Sequence, residues 1–147
     1  IGEGHEIAVA LQYEDPVAAV IVRWDEENDL AVLATTLKLP VLALSKYGPF
    51  PGYWVMALGS ADGYEGSVAF GNVINSTASE ILVTNNISGG SSGGPLIDNE
   101  GNVVGVMTWS LDEMQYNGAM SLDTFCVKIL KCEFEFEGKK TWWDYSD

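Results

Sequence analysis

Ser88-Gly89-Gly90-Ser91-Ser92-Gly93-Gly94-Pro95-Leu96 is the stretch whose reading decides the fold. Apolar β-type segments flank it, Ile81-Leu82-Val83 before and Gly101-Asn102-Val103-Val104-Gly105-Val106 after. So dense a Gly/Ser run ordinarily reads as a flexible linker. Too little chain follows it to make a second unit, so a tight loop is the better reading. Glycines let backbone N–H groups converge on one point beside an exposed serine hydroxyl, as an oxyanion hole requires.

Working outward, short strands punctuated by turns predict an all-β chain. The expected strands of the first half are Glu6–Leu11, Val17–Trp24, Leu30–Thr35 and Val41–Leu44. Pro49-Phe50-Pro51-Gly52 then marks a boundary. Tyr53–Leu58, Ser67–Ser76, Glu80–Thr84, Pro95–Asp98, Asn102–Ser110 and Tyr116–Ser121 follow, with Asn99-Glu100-Gly101 as a hairpin turn. One helix is expected near the end, capped by Asp123, with Phe125, Val127, Ile129 and Leu130 partly facing the core. Glu133–Glu137 alternates and reads as an edge strand, and Trp142-Trp143 suits packing on the body or a partner. This divides the chain into residues 1–48, 49–131 and an extension over 132–147.

Composition narrows the function. The 147 residues carry 21 acidic and 7 basic side chains, a net charge of −14. Nucleic-acid binding needs clustered Lys and Arg, and anionic membranes repel such a surface, so both partner classes are disfavoured. No stretch is long and apolar enough for membrane insertion as a helix. One histidine and two cysteines, Cys126 and Cys132, make no evident zinc set, so no metal and no cofactor is expected. The cysteines suit one short disulfide or two free thiols.

A serine hydroxyl needs a base to take its proton and donors to hold the negative charge that develops on the substrate. Ser92 has candidates for the second need in its own N–H and that of Gly90. Asp29, immediately before the apolar run Leu30-Ala31-Val32-Leu33, is placed to orient an imidazole. Its bland alternative is a solvated turn aspartate beside Asp25, Glu26 and Glu27.

Gly90-Ser91-Ser92-Gly93-Gly94-Pro95-Leu96 resembles the nucleophile loop of trypsin-like serine proteases. Asp29-Leu30-Ala31-Val32-Leu33 resembles the triad-aspartate strand of their HtrA-type branch. Pro51–Gly59, Ser67–Ile74, Gly105–Ser110 and Gly118–Ser121 are similar to successive strands of the second barrel there. The resemblance covers residues 5 to 130 or so. It implies two six-stranded antiparallel Greek-key β-barrels, the first incomplete, with a short C-terminal helix and an active site between them. It further implies a serine endopeptidase acting on a polypeptide substrate through an acyl-enzyme, and an extracytoplasmic or secreted setting. By the same resemblance Ser92 is the nucleophile, Asp29 the triad acid, and Gly90 and Ser92 the oxyanion donors. Thr108, Trp109 and Ser110 pair with the substrate backbone, while Asn86, Ser110 and Gly118 line the pocket for its side chain. An amide at position 86 in place of a carboxylate favours a small or apolar side chain there.

The chain departs from that pattern at the base. In the family the histidine precedes the strands matched by Ile7–Leu11 and Val17–Val22, which puts it before residue 1. His5 is the only histidine and falls where the family has no fixed chemistry. Three readings stay open: a piece lacking its N-terminal hairpin, His5 serving as base, or a protease-like binding or scaffold module that does not cut. On the first, the open barrel needs cover from the absent segment, a second copy or the chain's own tail.

Overall fold

A computed structural model describes residues 6–86, 89–110, 117–132, 138 and 139. The expected strand at Glu133–Glu137, the Trp142-Trp143 pair and His5 lie outside the described residues.

Three strands form an open antiparallel sheet in sequence order: β1 (Ile7–Val9), β2 (Val17–Asp25) and β3 (Leu30–Thr35). After the two-residue β4 (Tyr47–Gly48) come β5 (Trp54–Gly59), β6 (Ser67–Ser76), β7 (Glu80–Val83), β8 (Pro95–Ile97), β9 (Val103–Ser110) and β10 (Asn117–Ser121). These six close a barrel in the order β10-β7-β6-β5-β8-β9, with β9 pairing back to β10. Every pairing within it is antiparallel. A two-residue β11 (Gly138–Lys139) lies parallel to β4.

Alternation explains why the barrel closes. Val55 and Ala57 of β5, Val73 of β6, Ile81 and Val83 of β7, Leu96 of β8, Met107 of β9 and Ala119 of β10 point inward and are nearly or wholly buried. Register shifts at Val73/Asn75, Leu96/Ile97 and Gly118/Ala119 bend the strands around this core. The Asn99–Gly101 turn forms as expected. Asp98 Oδ1 accepts from the N–H groups of Glu100 and Asn102, each at 2.9 Å, and Gly101 takes φ +81°.

The three-stranded sheet is different. Val20, Val22 and Trp24 of β2 are more than half exposed, and the register shift between Ile21 and Arg23 turns Val20 and Trp24 to opposite faces, so the sheet keeps apolar surface without cover among the described residues. Its other link is to the C-terminal helix. Leu30 and Val32 pack with Ile97, Val103, Leu122, Phe125 and Ile129 in a second apolar cluster. Arg23 Nη1 donates to the Ile129 carbonyl at 3.1 Å.

Three expectations need correction. Val41–Leu44 is not a strand: it makes one isolated bridge, Leu44 to Val103, and Val41 is almost fully exposed. The helix is capped two residues earlier than Asp123. Its cap is Ser121, whose Oγ accepts from Thr124 N, and α1 (Leu122–Phe125) passes into a π-helical turn at Cys126–Leu130. Phe125 and Ile129 face the core, but Val127 and Leu130 do not. Between the two options for the cysteines, the structure pairs Cys126 with Cys132 in a disulfide.

Candidate active site

The loop from Gly89 to Gly94 is fixed by close approaches that only glycine permits. At Gly90, φ is +97°, and a Cβ would collide with the Ser60 carbonyl oxygen. At Gly94 a Cβ would collide with the Leu58 carbonyl oxygen. The backbone is pinned at its end, where Gly93 N donates to Met107 O at 2.7 Å and Met107 N to Gly94 O at 2.9 Å. Asp62 N donates to Gly89 O at 2.7 Å and holds the start. Ser91 is buried against Gly59, which throws its neighbour Ser92 outward. Ser92 is exposed, and its hydroxyl has no hydrogen-bond partner among the described residues. The N–H groups of Gly90 and Ser92 donate to no backbone carbonyl among the described residues.

Asp29 ends the turn between β2 and β3. Its N–H donates to Glu26 O at 3.3 Å, and it takes φ +52°, a conformation that aspartate tolerates better than most residues. Asp25 builds this turn. Its Oδ2 accepts from Asn28 Nδ2 at 2.7 Å and its Oδ1 from Asn28 N at 3.2 Å. The Asn28 side-chain bond holds the Asp25 carboxyl below its ordinary range, and the Lys128 ammonium assists.

Asp29 and Ser92, 63 positions apart in sequence and in turns belonging to different sheets, line one cleft of about 950 Å³. Its walls are Trp24 and Leu30 from the open sheet, Thr108 from β9, and Phe125 and Ile129 from the helical turn. Thr108 is half-buried and donates from Oγ1 to Gly118 O at 3.4 Å. Asn86 is exposed and Gly118 buried, and neither lines this cleft. Trp109 and Ser110 lie on β9, where their side chains fall outside the description. No group of three or more His, Cys, Asp or Glu that could hold a metal occurs among the described residues.

Sequence reasoning missed the helical wall. Phe125 and Ile129 read as core residues from their spacing, and nothing local says that the same faces border the cleft. Asn85 and Asn117, both buried, were also missed, because they sit among other polar residues, Thr84 and Asn86 beside one and Gln115 near the other.

Comparison with known proteins agrees with this fold. A family model described as a trypsin-like peptidase domain matches residues 1–106. The chain belongs to the trypsin-like peptidase family. A probable periplasmic serine endoprotease DegP-like of Hahella chejuensis is 39% identical over 113 residues, covering 69% of this chain and 24% of that protein. The anti-sigma-I factor RsgI9 of Acetivibrio thermocellus is 30% identical over 110 residues, 70% of this chain and 16% of that protein. The crystal structure of the serine endoprotease from Yersinia pestis superposes with a TM-score of 0.79 at 26% identity, over 89% of this chain and 49% of that one. The chain thus spans a quarter or less of these curated relatives' length, and HtrA-type proteases are among the proteins it resembles.

Proposed function

We propose that this chain carries the nucleophile half of a serine endopeptidase site. Ser92 Oγ attacks the carbonyl carbon of a polypeptide substrate and gives its proton to an imidazole. The N–H groups of Gly90 and Ser92 hold the oxyanion of the tetrahedral intermediate, each worth about 2.7–4 kcal/mol of transition-state stabilisation. The leaving amine takes the proton from the imidazolium, and water releases the acyl group by the same steps in reverse. Asp29 orients that imidazole and stabilises its charged form. Thr108–Ser110 pairs with the substrate backbone, and Asn86, Ser110 and Gly118 receive its side chain. One observation carries this reading: an exposed serine with unengaged amides beside it shares a cleft with Asp29.

The imidazole is supplied by a residue upstream of this chain or by His5. The exposed side chains of Val20 and Val22 on an open three-stranded sheet support the first source, because strands that closed that sheet would cover them and bring the base with them. A second copy of the chain is the other candidate cover.

A fluorophosphonate probe tests the assignment. It should label the protein at Ser92, faster by orders of magnitude when the upstream strands are present, and Ser92→Ala should abolish labelling. Labelling that survives Ser92→Ala refutes the nucleophile. Peptide affinity unchanged by Ser92→Ala, with no turnover once an imidazole is in place, would favour the non-cutting binding module.

A further inference from the structure

Asn85 is fully buried, the one polar residue among the largest wholly enclosed side chains. It stands between the end of β7 and the nucleophile loop. Its Nδ2 donates to Val55 O at 3.2 Å and to Ala69 O at 2.7 Å, on β5 and β6. These two acceptors fix which end of the amide carries nitrogen. Its backbone carbonyl accepts from Nδ2 of Asn117, a buried residue at the start of β10. Its Oδ1 finds no partner and lies against Gly71. A Cβ at Gly71 would come within 2.5 Å of that oxygen and 2.6 Å of Asn85 N. An aliphatic side chain would fill the same space without leaving an acceptor unmade. The two donors are what an asparagine adds, and they fix where the chain leaves the barrel.

We infer that Asn85 and Asn117 form a positioning brace that sets the separation between the start of the nucleophile loop and β10. Through that separation it governs selectivity for the substrate side chain. The inference rests on the protease reading above, in which Asn86 and Gly118 line the side-chain pocket. Each of those residues directly follows one member of the brace. Neither brace residue touches substrate. Both act through their neighbours, so their loss widens or narrows the pocket without altering the nucleophile.

Binding of product peptides tests this without requiring a base. N-acetylated tripeptide acids differing only in the C-terminal residue (Ala, Val, Leu or Phe) are titrated calorimetrically into the chain. The unsubstituted chain should discriminate among them. Asn117→Ala should shrink the spread between best and worst ligand by about fivefold or more, with its thermal melt still cooperative. Asn117→Asp should restore discrimination only at acid pH, where a protonated carboxyl can donate to the Asn85 carbonyl. A spread unchanged within about twofold in folded Asn117→Ala overturns the brace and leaves the protease reading standing. No discrimination by the unsubstituted chain overturns the pocket, and the brace with it. If Asn117→Ala does not fold, hydrogen exchange decides. The Asn117 side-chain amide should exchange slowly in the unsubstituted chain, and fast exchange overturns the brace.

Discussion

Replacing Gly94 by alanine should damage the fold far more than replacing its neighbour Gly93. At Gly94 the added Cβ meets backbone on two sides. It collides with the Leu58 carbonyl oxygen and comes within 3.0 Å of the Ser91 carbonyl oxygen. Neither can rotate away as a side chain can. Overpacking of this kind costs about 1–3 kcal/mol. If the loop moves to relieve it, the paired bonds Gly93 N to Met107 O and Met107 N to Gly94 O are lost or lengthened, at about 1 kcal/mol each. The sum is about 3–5 kcal/mol, or roughly 6–20 °C in Tm for a chain of this size. At Gly93 nothing lies within 4 Å of a Cβ, and the only penalty is a left-handed φ of +87°, about 1–2 kcal/mol. At Gly89 there is neither crowding nor a left-handed φ, so alanine should be neutral within about 0.5 kcal/mol. Urea unfolding followed by tryptophan fluorescence measures all three. Equal losses for Gly94→Ala and Gly93→Ala would refute the claim that backbone crowding, rather than backbone conformation, makes this loop rigid.

Asn28→Ala should raise the Asp25 pKa toward the ordinary carboxylate value, read by NMR titration, since the Asn28 side chain is the main cause of its depression. A depressed pKa stabilises the turn above the ordinary value of 3.8 and ceases to do so as pH falls through the folded value. The acid-side loss of stability should therefore soften in the variant. Reducing the Cys126–Cys132 disulfide, whose cysteines are six positions apart, should cost about 2 kcal/mol by loop-closure entropy. A drop in Tm of roughly 5 °C on adding reductant, absent in a Cys126→Ser/Cys132→Ser variant, checks it. Ile81→Ala, at a fully enclosed position, should cost about 2–5 kcal/mol. Val20→Ala on the uncovered sheet should cost under about 1 kcal/mol, unless a partner covers that face under the assay conditions.

Local chemistry made some of this legible in the sequence. Asn99-Glu100-Gly101 reads as a hairpin turn from its turn residues between two apolar runs, and the Asp98 carboxylate closes it by accepting from Glu100 N and Asn102 N. The Gly/Ser loop reads as a site because its glycines have no other use there. Where the sequence misled, two local options were equally good or tertiary packing decided. Val41–Leu44 is apolar enough for a strand, but with only one bridge to β9 it finds no edge to join. Ser121 and Asp123 are both sound helix caps, and the Ser121 hydroxyl wins because it also donates to the Ala78 carbonyl at 2.8 Å. The cleft wall at Phe125 and Ile129 depends on where the helix docks, which no local pattern encodes.

That docking bears on the chemistry. Ser92 is fixed to the closed barrel, and Asp29 to a sheet that makes no strand-to-strand ladder with it. The helical turn joins the two. Leu122, Phe125 and Ile129 pack against Ile97 and Val103 of the barrel and against Leu30 and Val32, which follow Asp29. Arg23 anchors the same turn from β2, and the disulfide closes the helix back on itself where Lys131 turns left-handed. A strut of this kind acts on alignment rather than reactivity. Truncating Phe125 would therefore leave the Ser92 loop and its amides intact while freeing Asp29 to drift. On the proposed protease reading, the altered chain would keep the catalysis that the Gly90 and Ser92 amides supply and lose the part that depends on an oriented imidazole.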